Sequence, residues 1–171
     1  MEIIVTPVVR FFSLLLLQVF ILNAIEPGMG IYLMAYPLFI AVLPFNYNVI
    51  TVLSISFLIG FIVDLFSNTF GLHASAAVAM GMARPLLYKY FAPRDGYDVL
   101  RHPNVLDMGF RWHLLTFGSL LFVHNCWFFI LESFRFDNIP SALLKTLLSG
   151  SFSFIICLLV QYLFFKKVKT R

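Results

Sequence analysis

The sequence predicts an all-α polytopic membrane protein. Of its 171 residues, 61% are hydrophobic and only 12% charged, and the mean hydropathy is +0.92. Soluble domains carry about 25% charged residues, so this balance already points into a bilayer. Six apolar runs also follow one another with short breaks, at about 8–25, 31–43, 49–66, 71–90, 112–131 and 142–165. A spanning helix needs about 20 residues, within a range of about 17–25. Residues 1–171 are therefore expected to form a single transmembrane domain, with 91–111 as its one substantial loop.

The first run, Phe11 to Ile25, has no small-x-small cleavage site and is followed by further spans, so it is expected to remain a helix rather than a cleaved leader. The second run is the weak one. It opens after Pro27-Gly28-Met29-Gly30, carries Pro37 and stops at Pro44. Pro37 removes a backbone donor, so the run reads either as a tilted or broken helix or as a hairpin that does not fully span. The third and fourth runs are long and join through Ser67–Phe70. The loop 91–111 is rich in Pro, Gly and Asp, which mark turns, and reads as a lid, a partner contact or a plain connector. Cys126 and Cys157 lie inside the fifth and sixth runs without zinc-ligand spacing, and read as small core residues.

Basic residues set the orientation. With both termini in the cytoplasm, that side collects Arg10, Lys89, Arg94, Arg101, Arg111, Lys166, Lys167, Lys169 and Arg171, while the other receives Arg135 and Lys145 beside Glu132 and Asp137. The positive-inside rule then favours six spans with N and C termini inside. A re-entrant second run would give five spans and opposite termini. The net charge of +4 reflects this distribution and suggests no nucleic-acid partner.

Asp64 is the most informative residue, because a carboxylate inside a membrane costs roughly 2.5–3.5 kcal/mol and is kept only with a partner or a purpose. A rise of about 1.5 Å per residue puts it about 22 Å along the third run, level with His73 at the start of the fourth. Arg84 lies roughly 16 Å deeper, which suits snorkelling to the cytoplasmic interface better than pairing with Asp64. Asn23, Glu26, Asn68, His124, Asn125 and Glu132 fall at the Asp64 level. They read either as one buried polar cluster centred on Asp64 or as separately bonded groups and helix caps. Small residues recur four apart at Gly71, Ser75, Ala79 and Ala83, and again at Ala77 and Gly81, which lets another backbone approach closely, from this chain or from a partner.

No nucleophile elbow, phosphate-binding glycine loop or zinc signature is present, so neither an enzyme nor a cofactor is expected. His113 and His124 share a helix face but stand about 16 Å apart, too far to share a metal.

The stretch from Gly60 through Asp64 to Gly71-Leu72-His73, followed by small residues, resembles the signature of the rod shape-determining MreD family: Gly-x-x-x-Asp, a short polar turn, then Gly-Leu-His. Gln18 and Asn23, Leu43-Pro44, Arg84-Pro85, 129–134 and 160–164 are also similar, while Asn125 after His124 departs from the pattern. The resemblance marks Asp64, Gly71 and His73 as motif positions without giving them a chemical role. It implies a non-enzymatic subunit of the bacterial cell-elongation complex in the inner membrane. Such a subunit binds MreC and couples MreB filaments to lateral peptidoglycan synthesis by RodA and the elongation-specific penicillin-binding transpeptidase; a homodimer stays open. It also implies a six-helix bundle like the S components of energy-coupling-factor transporters. The alternative reading is a small-molecule subunit of that type, taking a vitamin or a lipid.

Overall fold

The computed structural model describes residues 2–25, 27–28, 30–98, 101–133 and 139–165. Glu26, Arg135, Asp137, Lys166, Lys167, Lys169 and Arg171 lie outside the described residues, as do the basic and acidic balances built on them. The described chain is helical, and four of its helices are long and apolar enough to cross a membrane: Pro7–Ala24, Val49–Ser67, Phe110–Ser133 and Pro140–Phe164.

Helix α1 spans Glu2–Leu16, then widens into a π-helical turn at Leu17–Ile21 and tightens into a 3-10 turn at Leu22–Ala24. The short α2 covers Pro37–Ala41. Helices α3 (Val49–Ser67) and α4 (Leu72–Tyr90) form an antiparallel hairpin. A single-turn α5 (Val105–Met108) leads into α6 (Phe110–Ser133), and α7 (Ile139–Phe164) closes the bundle. At about 1.5 Å per residue, the 19 residues of α4 reach as far as those of α3. Its Arg84, Lys89 and alanine-rich sequence make it the less apolar of the two.

The second apolar run is where the expected helix gives way. From Ile31 to Ala35 the backbone is not helical, and only Pro37–Ala41 coil. Pro37 explains the boundary. It stands at the first helical turn, where its missing N–H is no loss, and it could not have continued a helix arriving from upstream. Non-helical backbone at membrane depth must be buried and hydrogen-bonded by its neighbours. Side chains supply the donors and acceptors here. Tyr32 N donates to Ser149 Oγ (3.1 Å) and Met34 N to Ser153 Oγ (2.8 Å). Ala35 N donates to Gln18 Oε1 (2.7 Å), and Leu33 O accepts from Gln18 Nε2 (3.0 Å). Cys157 Sγ lies 3.9 Å from the carbonyls of both Met34 and Ala35.

This segment passes through the bundle instead of turning back. It enters at Gly30, beside the Lys145 side chain, and leaves at Leu43 and Pro44, whose carbonyls accept from Arg84 Nη2. Arg84 is 4% exposed and stacks its guanidinium 4.6 Å from the Tyr88 ring centre. The expected snorkelling arginine is thus a buried clamp, because the carbonyls of Leu43 and Pro44, just after α2, offer it acceptors inside the fold. Arg10, on α1, lies 4.1 Å from the centre of the Phe165 ring, so α1 begins at the end of the bundle where α7 finishes.

Residues 91–98 and 101–111 of the loop fold onto that same end as a lid. Tyr97 stacks on Phe45 (4.3 Å between centroids), and its hydroxyl donates to Tyr88 O (2.6 Å). Trp112 Nε1 donates to Phe91 O (3.1 Å). Asn104 caps α5 through Leu106 N and Asp107 N, and Val105 N reaches Gln161 Oε1 on α7 (3.0 Å). Gln161 also meets His113 Nε2 (2.9 Å), joining α5, α6 and α7 at one buried point.

Candidate functional site

The α3–α4 turn is built around Gly60 and Asp64. A Cβ placed on Gly60 would lie 2.6 Å from Ala74 Cα and His73 O, so only glycine lets the first turn of α4 sit this close to α3. One helical turn further along the same face, Asp64 meets that turn. The chain reverses through Asn68 (φ 53°) and Gly71 (φ 83°), both left-handed. Gly71 occupies the cap position of α4 and has no side chain with which to cap it.

Asp64 supplies the cap from the neighbouring helix. Its Oδ2 accepts from Ala74 N (2.9 Å), and its Oδ1 accepts from His73 N (3.0 Å) and Thr69 Oγ1 (2.6 Å). His73 Nδ1 lies 3.1 Å from the same Oδ1 and 2.9 Å from Thr69 Oγ1. Free N–H groups and the helix dipole make the start of a helix a natural seat for negative charge. The carboxylate is only 4% exposed, and its solvation by water is replaced by donors from α4 and the turn. The Gly-x-x-x-Asp spacing therefore has a mechanical meaning: the glycine makes the notch, and the aspartate receives what enters it.

His73 carries the network inward. A carboxylate has no hydrogen to give, so Nδ1 of His73 bears a proton and donates, which turns Nε2 away from the Asp64 pair. The ring packs on Phe128 (4.8 Å) and Tyr36 (5.8 Å). The Tyr36 hydroxyl lies 2.5 Å from His124 Nε2 and 3.4 Å from His73 O, and His124 Nδ1 lies 3.1 Å from Asn125 Oδ1. Thus His124 and Asn125 join Asp64 and His73 through Tyr36, with no direct bond.

The other expected members separate. Asn23 bonds Gln18 Nε2 (2.9 Å) and Ser67 Oγ (2.8 Å), so it borders the cluster without touching the carboxylate. Asn68 contributes backbone, closing α3 through its N–H to Asp64 O. Glu132 stands with Lys145 (3.5 Å) away from Asp64. The two small-residue lines also divide. Ala77 and Gly81 are buried, and a Cβ on Gly81 would lie 2.8 Å from Ser56 Oγ, so α3 covers that line. Ser75, Ala79 and Ala83 stay partly exposed beside exposed Met82 and Leu86.

Between the end of α1, residues 30–34 and the α3–α4 turn lies a cavity of about 420 Å³. Gln18, Asn23, Ser67, Thr69 and His73 give it a polar wall, and Leu22, Ile25, Ile31 and Phe66 an apolar one. Thr69, Ser67 and Tyr36 were not singled out by the sequence reading, since single hydroxyls are unremarkable in it. The line Ser149, Ser153, Cys157 and Gln161 on α7 was legible as polar or sulfur-bearing residues four apart.

No family model, curated protein or solved structure matches the chain.

Proposed function

We propose that the chain is a non-enzymatic, MreD-like subunit of the bacterial cell-elongation complex. It sits in the inner membrane with both termini in the cytoplasm and docks the membrane helix of MreC. Through MreC it couples MreB filaments to RodA and the elongation-specific transpeptidase. The chain crosses the bilayer six times in this reading, five times as helices and once as the buried 31–44 segment, in an S-component-like bundle.

One observation carries the reading. Helix α4 is as long as α3 yet falls short of the apolar content of the four spanning helices, and its outward face presents Ser75 and Ala79 between larger residues. Small side chains offer lipid little contact and offer a second helix a close approach, where van der Waals packing and hydrogen bonds drive association. The Asp64 cap fixes the start of α4, and with it the angle at which that face is presented.

The experiment is Ala79→Leu, which adds bulk on a partly exposed face outside the buried core. MreC co-purification falls at least tenfold while the melting temperature in detergent stays at the wild-type value. Undiminished MreC capture by the normally folded variant removes this face as the interface.

A further inference from the structure

We propose that the cavity between the end of α1, residues 30–34 and the α3–α4 turn is a binding site for an uncharged, hydroxyl-bearing amphiphile, with His73 Nε2 as its hydrogen-bond partner. The inference does not depend on docking to MreC.

Three independent features converge there. The cavity volume of about 420 Å³ lies within the roughly 300–1,000 Å³ of small-molecule sites, and its two walls differ in polarity. Both chain segments that form one side of it abandon regular helix at that level. Helix α1 passes into a π turn and then a 3-10 turn at Leu17–Ala24, and the second run is non-helical from Ile31 to Ala35. π-helical turns concentrate at functional sites, and broken spanning segments inside membrane proteins line binding cavities. Finally, His73 is 4% exposed and lines the cavity, with Nδ1 committed to Asp64 and Thr69. Among the described residues no hydrogen bond engages its Nε2, which is left for whatever enters.

The free valences choose the ligand. Gln18 is saturated by Asn23, Leu33 O, Ala35 N and Tyr36 N. Asn23 Nδ2 gives one hydrogen to Ser67 Oγ and keeps a second, and the Ser67 hydroxyl hydrogen is likewise uncommitted. The site therefore offers two donors beside His73 Nε2, a set that suits a hydroxyl able both to give and to receive a hydrogen bond. Asp64 stands behind the wall with its acceptors already filled, and the Lys145 ammonium beside Gly30 at the mouth is paired with Glu132 (3.5 Å). An ionised headgroup would lose its water without gaining a counter-charge. Leu22, Ile25, Ile31 and Phe66 provide for a short apolar tail. Exposed Asn23, Ile25, Gly28 and Gly30 form the mouth, and buried Gln18, Met34 and His73 the floor.

The test uses the full chain in lipid nanodiscs, with histidine side chains labelled with ¹⁵N, titrated with hexyl β-glucoside. Saturable binding is expected, with a shift of the His73 Nε2 resonance. Binding should weaken at least tenfold in Ser67→Leu, which blocks the cavity and leaves the Asp64–His73 pair in place. Hexyl phosphate and hexylamine should not saturate. Displacement of the glucoside by monoolein in the nanodisc assigns the natural ligand to the bilayer, and failure to displace assigns it to the aqueous phase. The proposal is overturned by non-saturable partitioning alone, by glucoside binding that Ser67→Leu leaves unchanged, or by stronger saturable binding of either charged probe. If Ser67→Leu does not fold, the His73 resonance of the wild-type chain decides: a titration that leaves it unmoved overturns the site.

Discussion

Replacing Asp64 with Asn tests the cap on α4 most directly. The amide keeps one oxygen, which can still accept from Thr69 and the His73 groups, but it turns an NH₂ towards Ala74 N, where Oδ2 now accepts at 2.9 Å. Two donors then face each other in a site only 4% exposed. An unsatisfied buried donor costs about 1–3 kcal/mol. Losing a negative charge at the start of a helix costs about 0.3–1 kcal/mol more, and up to ~2 in partly buried geometry. A loss of about 2–4 kcal/mol is therefore expected for Asp64→Asn. Asp64→Ala, which also orphans Thr69 and His73, should cost more than Asp64→Asn, since each buried donor left without an acceptor costs about 1–3 kcal/mol. Reversible unfolding in mixed micelles measures both, and amide exchange should locate the change at His73 and Ala74 instead of spreading it over α6 and α7. Unchanged stability in Asp64→Asn, with protected His73 and Ala74 amides, would refute the cap.

Gly60→Ala distinguishes the notch from ordinary helix propensity. On propensity alone the change would stabilise α3 by about 1 kcal/mol; with Ala74 Cα and His73 O both 2.6 Å from the new methyl carbon, a destabilisation of about 1–3 kcal/mol is expected, and the sign of the change in the same unfolding measurement settles which effect wins. His102, in the lid, has its pKa lowered from the ordinary 6.5, first by burial and then by the positive charge of Arg10, with Asp107 opposing. The unfolded chain therefore binds this proton more readily. The His102 contribution to stability is whole above pH 6.5 and is lost as pH falls through the lower folded value. The acid-side slope of stability between about pH 7 and 5 should flatten in His102→Gln, and an unchanged slope would show that the imidazole is not buried in the lid.

The membrane character of the chain and most of its long helices could be read from sequence alone. Hydrocarbon selects composition and run length residue by residue, and α3, α6 and α7 meet that demand without help from one another. The neighbourhood of Asp64 and His73 was equally legible, because helical rise converts spacing into depth. Three matters waited for tertiary structure. The second run reads as a tilted or broken helix or as a hairpin, because hydropathy records only burial; Ser149, Ser153 and Gln18 satisfy its backbone from other elements. Arg84 looked like an interfacial cation because its acceptors, the carbonyls of Leu43 and Pro44, lie about forty residues away in the chain. The role of Asp64 needed a backbone that had already turned at Gly71. A carboxylate announces that it must be neutralised, but which amides point at it is a property of how two helices cross, and Gly60 sets that crossing.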